Sequence, residues 1–160
     1  MFWTKVLTGH QDGVITLNRL AADAAKREKR CTQPGEPYRT LLGHFRHKIG
    51  QCYWDRLVGE GGQLRAFGDC FRNERWDYVA ALAKYYADGP PAGWRDRFVS
   101  AHTSAHPWED FAETWAHFLH IVDTQEMAGS FRLRVDPVVT DDVAYRAEVN
   151  FDPHAAAGID

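Results

Sequence analysis

The chain has 160 residues, 44% of them hydrophobic and 26% charged, and a formal net charge of −3. A chain of that length buries about 70% of its unfolded surface, so it needs neither a disulfide framework nor a structural metal merely to fold. The slight acidic excess argues against a basic nucleic-acid binder. No apolar run approaches the about 18–20 residues of a membrane span, and no signal-peptide core opens the chain, so a cytoplasmic protein with no membrane partner is expected.

Segments 3–8 (WTKVLT) and 14–18 (VITLN) are short β-type runs. GHQDG lies between them, and Asp12-Gly13 signals a turn, which predicts a hairpin with a five-residue connection. From Leu20 to Lys29 the composition favours helix, and CTQPGEP stops it. A long helix is predicted over 38–58, where Leu41, Leu42, Phe45, Ile49, Tyr53 and Leu57 recur at three- and four-residue steps. GEGG (59–62) breaks it. Helices follow at 63–71 and 74–87, then a Pro/Gly loop and a short helical stretch over 94–104. Pro107 suits the first position of a further helix, Trp108 to Asp123, striped by Phe111, Trp115, Phe118, Leu119 and Val122. FRLRV and VAYRAEV alternate weakly, and the last residues, DPHAAAGID, read as an unanchored end.

The three cysteines (Cys31, Cys52, Cys70) show no CxxC spacing and read as reduced thiols. The eight histidines are less ordinary, because six of them gather on two of these helices or near them. His44, His47 and Gln51 fall at i, i+3 and i+7 and share a face. The segment His47-Lys48-Ile49-Gly50-Gln51 is close to His-Glu-x-x-His. In that motif two imidazoles one turn apart bind Zn²⁺ and the Glu between them activates a bound water. On the later helix Glu109 and Glu113 lie one turn apart, with His117 continuing the face and His120 beside it. A carboxylate from a second helix is the third ligand such a site needs, and an acid four residues on can hold the N–H of a zinc-bound imidazole. His102 and His106, near the start of that helix, are candidates for substrate contact. Tyr53, Trp54, Trp108 and Trp115 read as core.

LLGHFRHKIGQCYWDRLV and AHPWEDFAETWAHFLHIVDT resemble the two signature segments of a bacterial zinc-binding metallo-peptidase family. VLTGHQDGVITLN and GEPYRTLLGHFRH resemble its upstream hairpin and the approach to its active-site helix. The likeness runs over roughly residues 5–127. It implies a mostly helical α+β fold, zincin-like, with a short N-terminal hairpin packed on the active-site helix and a second, acid-bearing helix. The expected organisation is a zincin-like domain over 1–127 and an irregular or partly stranded segment over 128–160. Family members usually carry a zinc-ribbon and a longer C-terminal part, and this chain is expected to lack both.

By the same resemblance His47 matches the first metal ligand, Glu109 the third ligand, and Glu113 the outer acid. His44 is an outer residue or a substitute ligand. Gln51 stands where the second ligand histidine is expected and Lys48 where the general-base Glu is expected. An ammonium about 5 Å from Zn²⁺ is repelled by roughly 6–7 kcal/mol at an effective dielectric of about 20. An amide oxygen is a poor zinc ligand beside imidazole. Weak or absent zinc binding and impaired hydrolysis are therefore expected, with Lys48 forming a salt bridge to Glu109 or Glu113 in place of the metal. Three functions compete: a non-hydrolytic scaffold holding a peptide or protein in the old cleft, a metal hydrolase using His44, His47 and Glu109, and a structural remnant whose exposed apolar surface an oligomer covers.

Overall fold

A computed structural model describes residues 9–11, 13–16, 40–136 and 138–148. The expected strand at 3–8, the helix at 20–29 and the end segment DPHAAAGID lie outside the described residues. The chain divides into two compact units, Met1–His117 and Phe118–Asp160.

In the first unit, β1 (Gly9–Gln11) and β2 (Val14–Thr16) pair antiparallel, Gly9 opposite Thr16 and Gln11 opposite Val14. The connection is thus two residues rather than five. Gly13 takes φ +79, the left-handed conformation that a two-residue hairpin turn demands, so Gly9, His10 and Gln11 join the strand instead of the loop. β1 lies against the next element, α1 (Leu41–Tyr53). Thr40 caps α1 by accepting the Gly43 N–H at 2.9 Å.

The long helix predicted to Val58 changes character at its end. Trp54–Gly59 winds as a π-helix, closed by the Glu60 N–H donating to the Asp55 carbonyl at 2.8 Å. α2 (Leu64–Phe71) follows, then α3 (Tyr78–Asp88), which starts four residues later than predicted because Asp77 caps it through the Ala80 N–H. The stretch predicted as a short helix over 94–104 is two 3₁₀ turns, Trp94–Asp96 and His102–Ser104. α4 (Pro107–Ser130) begins at the proline, as expected, and runs past the predicted end.

The periodic apolar residues of α1 are not its buried face. Leu42, Phe45, Tyr53 and Leu57 are 40–51% exposed, whereas Gly43, His47, Gly50 and Gln51 are buried. The small residues explain the inversion. A Cβ on Gly50 would stand 3.0 Å from the Ala112 Cα and 3.1 Å from the Trp115 Cβ, so α1 touches α4 backbone to backbone. That close approach leaves room for polar side chains between the helices and turns the apolar ones outward. An aromatic cluster packs around the buried Phe67: Trp54 meets Phe67 and Trp108 edge-on, and the half-buried Phe71, Phe111 and Trp115 continue it. Tyr53, though partly exposed, stacks on Trp115 at 5.0 Å.

The second unit holds α4 from Phe118 onward and an antiparallel pair, β3 (Arg134–Val135) and β4 (Ala147–Glu148). Arg132 at φ 50 ends the helix, with the Leu133 N–H returning to the Ala128 carbonyl. Val122 of the α4 stripe is buried there, but Phe118 is 57% exposed. No helix among the described residues is long and apolar enough to cross a membrane.

Candidate functional site

The head of α4 is built to hold a buried carboxylate. Pro107 opens the helix and needs no N–H partner. His106 caps it: its Nδ1 accepts the Trp108 N–H at 3.0 Å while its Nε2–H donates to the Trp76 carbonyl at 3.1 Å, so both ring nitrogens are used. Arg72, itself at φ 77, donates to the carbonyls of Thr103 and Ser104 and to Asp110 Oδ2. Its guanidinium also lies over the Trp76 and Phe98 rings. One arginine thus ties the turn carrying His102 to the first turn of α4.

Glu109, 2% exposed, is the centre of the arrangement. Its Oε2 lies 2.9 Å from His47 Nε2 and 3.2 Å from His102 Nε2. Its Oε1 accepts the Tyr78 hydroxyl and, at 3.2 Å, the Gln51 amide N–H. His47 uses its other nitrogen, Nδ1, on Glu113 Oε2 at 2.7 Å. His117 donates from Nδ1 to the Glu113 backbone carbonyl.

The electrostatics follow from burial against pairing. Burial opposes the charge on His47, but hydrogen bonds to Glu109 and Glu113 outweigh it and raise the pKa above the ordinary value. Burial likewise pushes Glu109 up, yet the hydrogen bonds from His102 and His47 hold it well below the carboxylate range. Glu113 is lowered for the same reason, against its own burial. Burial, reinforced by the Glu109 charge, raises the Tyr78 hydroxyl, which therefore stays a donor. Asp110 is pushed up to about 6 by burial, partly offset by Arg72.

The structure brings together His47, Lys48, Gln51, Glu109 and Glu113. Lys48 does not make the expected salt bridge to either glutamate: its Nζ donates to Gln51 Oε1 at 2.8 Å, and Glu109 acts on it only at longer range. Burial lowers the Lys48 pKa. Holding the amide oxygen in this way turns the Gln51 NH₂ toward Glu109, so Gln51 presents a donor where the motif requires a ligand. His44 is half-buried one turn before His47. Two members go beyond what the sequence indicates: His102, a candidate there for substrate contact, is a partner of Glu109 instead, and Tyr78 carries no spacing signal.

Among the described residues no group of three or more His, Cys, Asp and Glu side chains is arranged to hold a metal ion. The motif positions alone do not fit zinc, because Gln51 offers an N–H. The two imidazoles that meet on Glu109 are partners of its Oε2 rather than donors around a common centre.

Residues 3–159 match the family described as "Putative zinc-binding metallo-peptidase". The chain belongs to this family, and the match reaches beyond the 5–127 over which the signature segments were traced. Two uncharacterized proteins of Mycobacterium tuberculosis and one of Mycobacterium bovis are each 48% identical to it over 124 residues, 77% of this chain. The aligned part is 36% of each relative, so the chain spans about a third of their length. No solved structure matches the chain.

Proposed function

We propose that the chain is a zincin-like member of its metallopeptidase family that has lost peptide-bond hydrolysis and keeps the fold as a scaffold for holding a peptide or protein segment. The observation that carries this reading is the Lys48–Gln51 hydrogen bond at 2.8 Å. The residue after the first motif histidine is the one that takes a proton from the attacking water, and a general base must carry an acceptor within hydrogen-bond reach of that proton. Lys48 brings an N–H donor there. The two carboxylates nearby, Glu109 and Glu113, are each bound to His47. An active metal hydrolase built on His44, His47 and Glu109 is the competing reading, and the commitment of both carboxylates to His47 favours the first.

A peptide-library cleavage assay tests it. Wild-type protein with one equivalent of zinc is expected to cleave nothing. The double variant Lys48→Glu/Gln51→His restores the motif and is expected to gain chelator-sensitive hydrolysis. Cleavage by the wild type that disappears in His47→Ala overturns the proposal.

A further inference from the structure

We infer that the open groove against α2, lined by Arg65, Arg72 and Arg75, is a site for a doubly charged phosphate monoester. The inference uses neither the motif residues nor the carboxylates that hold them, so it stands apart from the proposed loss of hydrolysis.

Three observations carry it. The first is placement. Arg65, Gly68 and Arg72 fall at i, i+3 and i+7, on one face of α2 and its C-terminal end. With Arg75 they line a groove of about 420 Å³, within the size range of small-ligand sites. The space beside Gly68 is clear of protein, because a Cβ there would meet nothing within 4 Å.

The second is charge. Two carboxylates lie within ion-pair distance of the cluster, Asp110 on Arg72 at 3.3 Å and Glu74 on Arg75 at 3.5 Å. Among the described residues Arg65 and Arg97 have no carboxylate that close. The Arg97 guanidinium lies over the same Phe98 ring as that of Arg72. Burial pushes the Arg72 pKa down, and the Arg97 charge adds to it against the pull of Asp110. Four guanidiniums facing two carboxylates leave an excess of two positive charges. A phosphate monoester carries close to two negative charges at neutral pH, and a carboxylate carries one.

The third is the state of Arg72. Its Nη atoms donate to the Thr103 and Ser104 carbonyls and to Asp110, but its Nε–H is buried with no acceptor among the described residues. Its backbone takes φ 77 and ψ −166, a region open essentially to glycine alone, and strain of that kind concentrates at functional sites. A guanidinium fork matches phosphate oxygens two at a time. Arg72 is a fixed fork in the groove, and the exposed Arg65 and Arg75 supply further donors. A free phosphorylated metabolite and a phosphorylated side chain offer the same group, and the test separates them.

The test titrates the full chain with phosphoserine, read by calorimetry and by tryptophan fluorescence, since Arg72 covers the Trp76 ring at 5.5 Å. Wild type is expected to bind with a Kd of about 1 mM or tighter at low ionic strength, weakening as salt screens the charges. Arg65→Gln/Arg75→Gln alters exposed residues alone and is expected to weaken binding at least about 10-fold. Gly68→Glu puts a carboxylate into the groove and is expected to abolish binding, whereas Gly68→Gln, of the same shape, keeps it. Glutamate is expected to bind at least about 10-fold more weakly than phosphoserine. A phosphoserine peptide that binds at least about 10-fold tighter than phosphoserine assigns the groove to a phosphorylated chain, and equal affinity assigns it to a free monoester. No saturable phosphoserine binding by folded wild type overturns the inference. So does unchanged affinity in the double arginine variant or in Gly68→Glu, or glutamate bound as tightly as phosphoserine. Cleavage by the wild type would overturn the proposed loss of hydrolysis and leave this inference standing, so the two failures are distinct.

Discussion

His47 Nδ1 lies 2.7 Å from Glu113 Oε2, joining α1 to α4 across 66 residues of sequence. The pair is a part-buried imidazole–carboxylate contact, and Glu109 holds the opposite nitrogen of the same ring. Its contribution depends on pH from both sides. Glu113 has a folded pKa below the ordinary 4.5, so its stabilisation is present above that value and lost as pH falls through the lowered one. His47 has a folded pKa above 6.5, so its stabilisation is complete below 6.5 and lost as pH rises through the raised one. In metal-free protein, Glu113→Gln is expected to cost about 1–3 kcal/mol between those limits. Melting temperatures of wild type and variant against pH should differ most there and converge toward both extremes. A gap that does not change with pH would show that the pair is not charged.

Gly50→Ala tests the helix contact. A methyl there meets backbone at 3.0–3.1 Å on Ala112, which cannot swing aside. Alanine in mid-helix would by itself add about 0.5–1 kcal/mol of stability, and overpacking costs about 1–3. Net destabilisation in urea unfolding is expected. A stabilised variant would mean that α1 and α4 stand further apart.

Tyr78→Phe removes a hydroxyl donor from Glu109 Oε1 and leaves the Gln51 amide there. A buried acceptor short of a partner costs about 1–3 kcal/mol. The loss also lets the folded Glu109 pKa rise toward its unfolded value. Less of the carboxylate stabilisation then survives on acidification, and the acid-unfolding midpoint should move to higher pH. A midpoint unchanged from the wild type would rule out Tyr78 as a holder of Glu109.

Arg72→Lys keeps the charge beside Asp110 but loses the forked donor that reaches two carbonyls and the carboxylate at once. Hydrogen exchange at Ser104 and Ala105, whose N–H groups close the turn, should accelerate by 10-fold or more, an opening about 1.4 kcal/mol easier. Unchanged exchange would place the stiffness of that turn elsewhere.

Much of the site was legible in the sequence, because helical spacing alone puts His47 and Gln51 on one face and Glu109 and Glu113 on another. The fold was legible where side chains act on their own backbone: Asp12-Gly13 as a turn and Pro107 at a helix start. What was hidden depends on pairs of helices. Apolar spacing marks α1 as a helix but does not show its buried face, since Gly50 carries no hydrophobic signal yet sits where α1 meets α4. Asp77 postponed the start of α3 by capping a later turn. Tyr78 and His102 reach Glu109 from separate segments, and contacts of that kind leave no period to read.

The Lys48 ammonium and the Gln51 amide oxygen are partners at 2.8 Å, and this makes the two departures from His-Glu-x-x-His dependent on each other. Gln51→His alone strips a partly buried lysine of its acceptor and sets it against a further imidazole. Lys48→Glu alone adds a third carboxylate beside Glu109 and Glu113. Either single reversion should fold less well than the wild type or the double variant. Any stepwise exchange of this pair for the Glu and His of His-Glu-x-x-His therefore crosses a valley in stability, so the two positions are held together by their own chemistry.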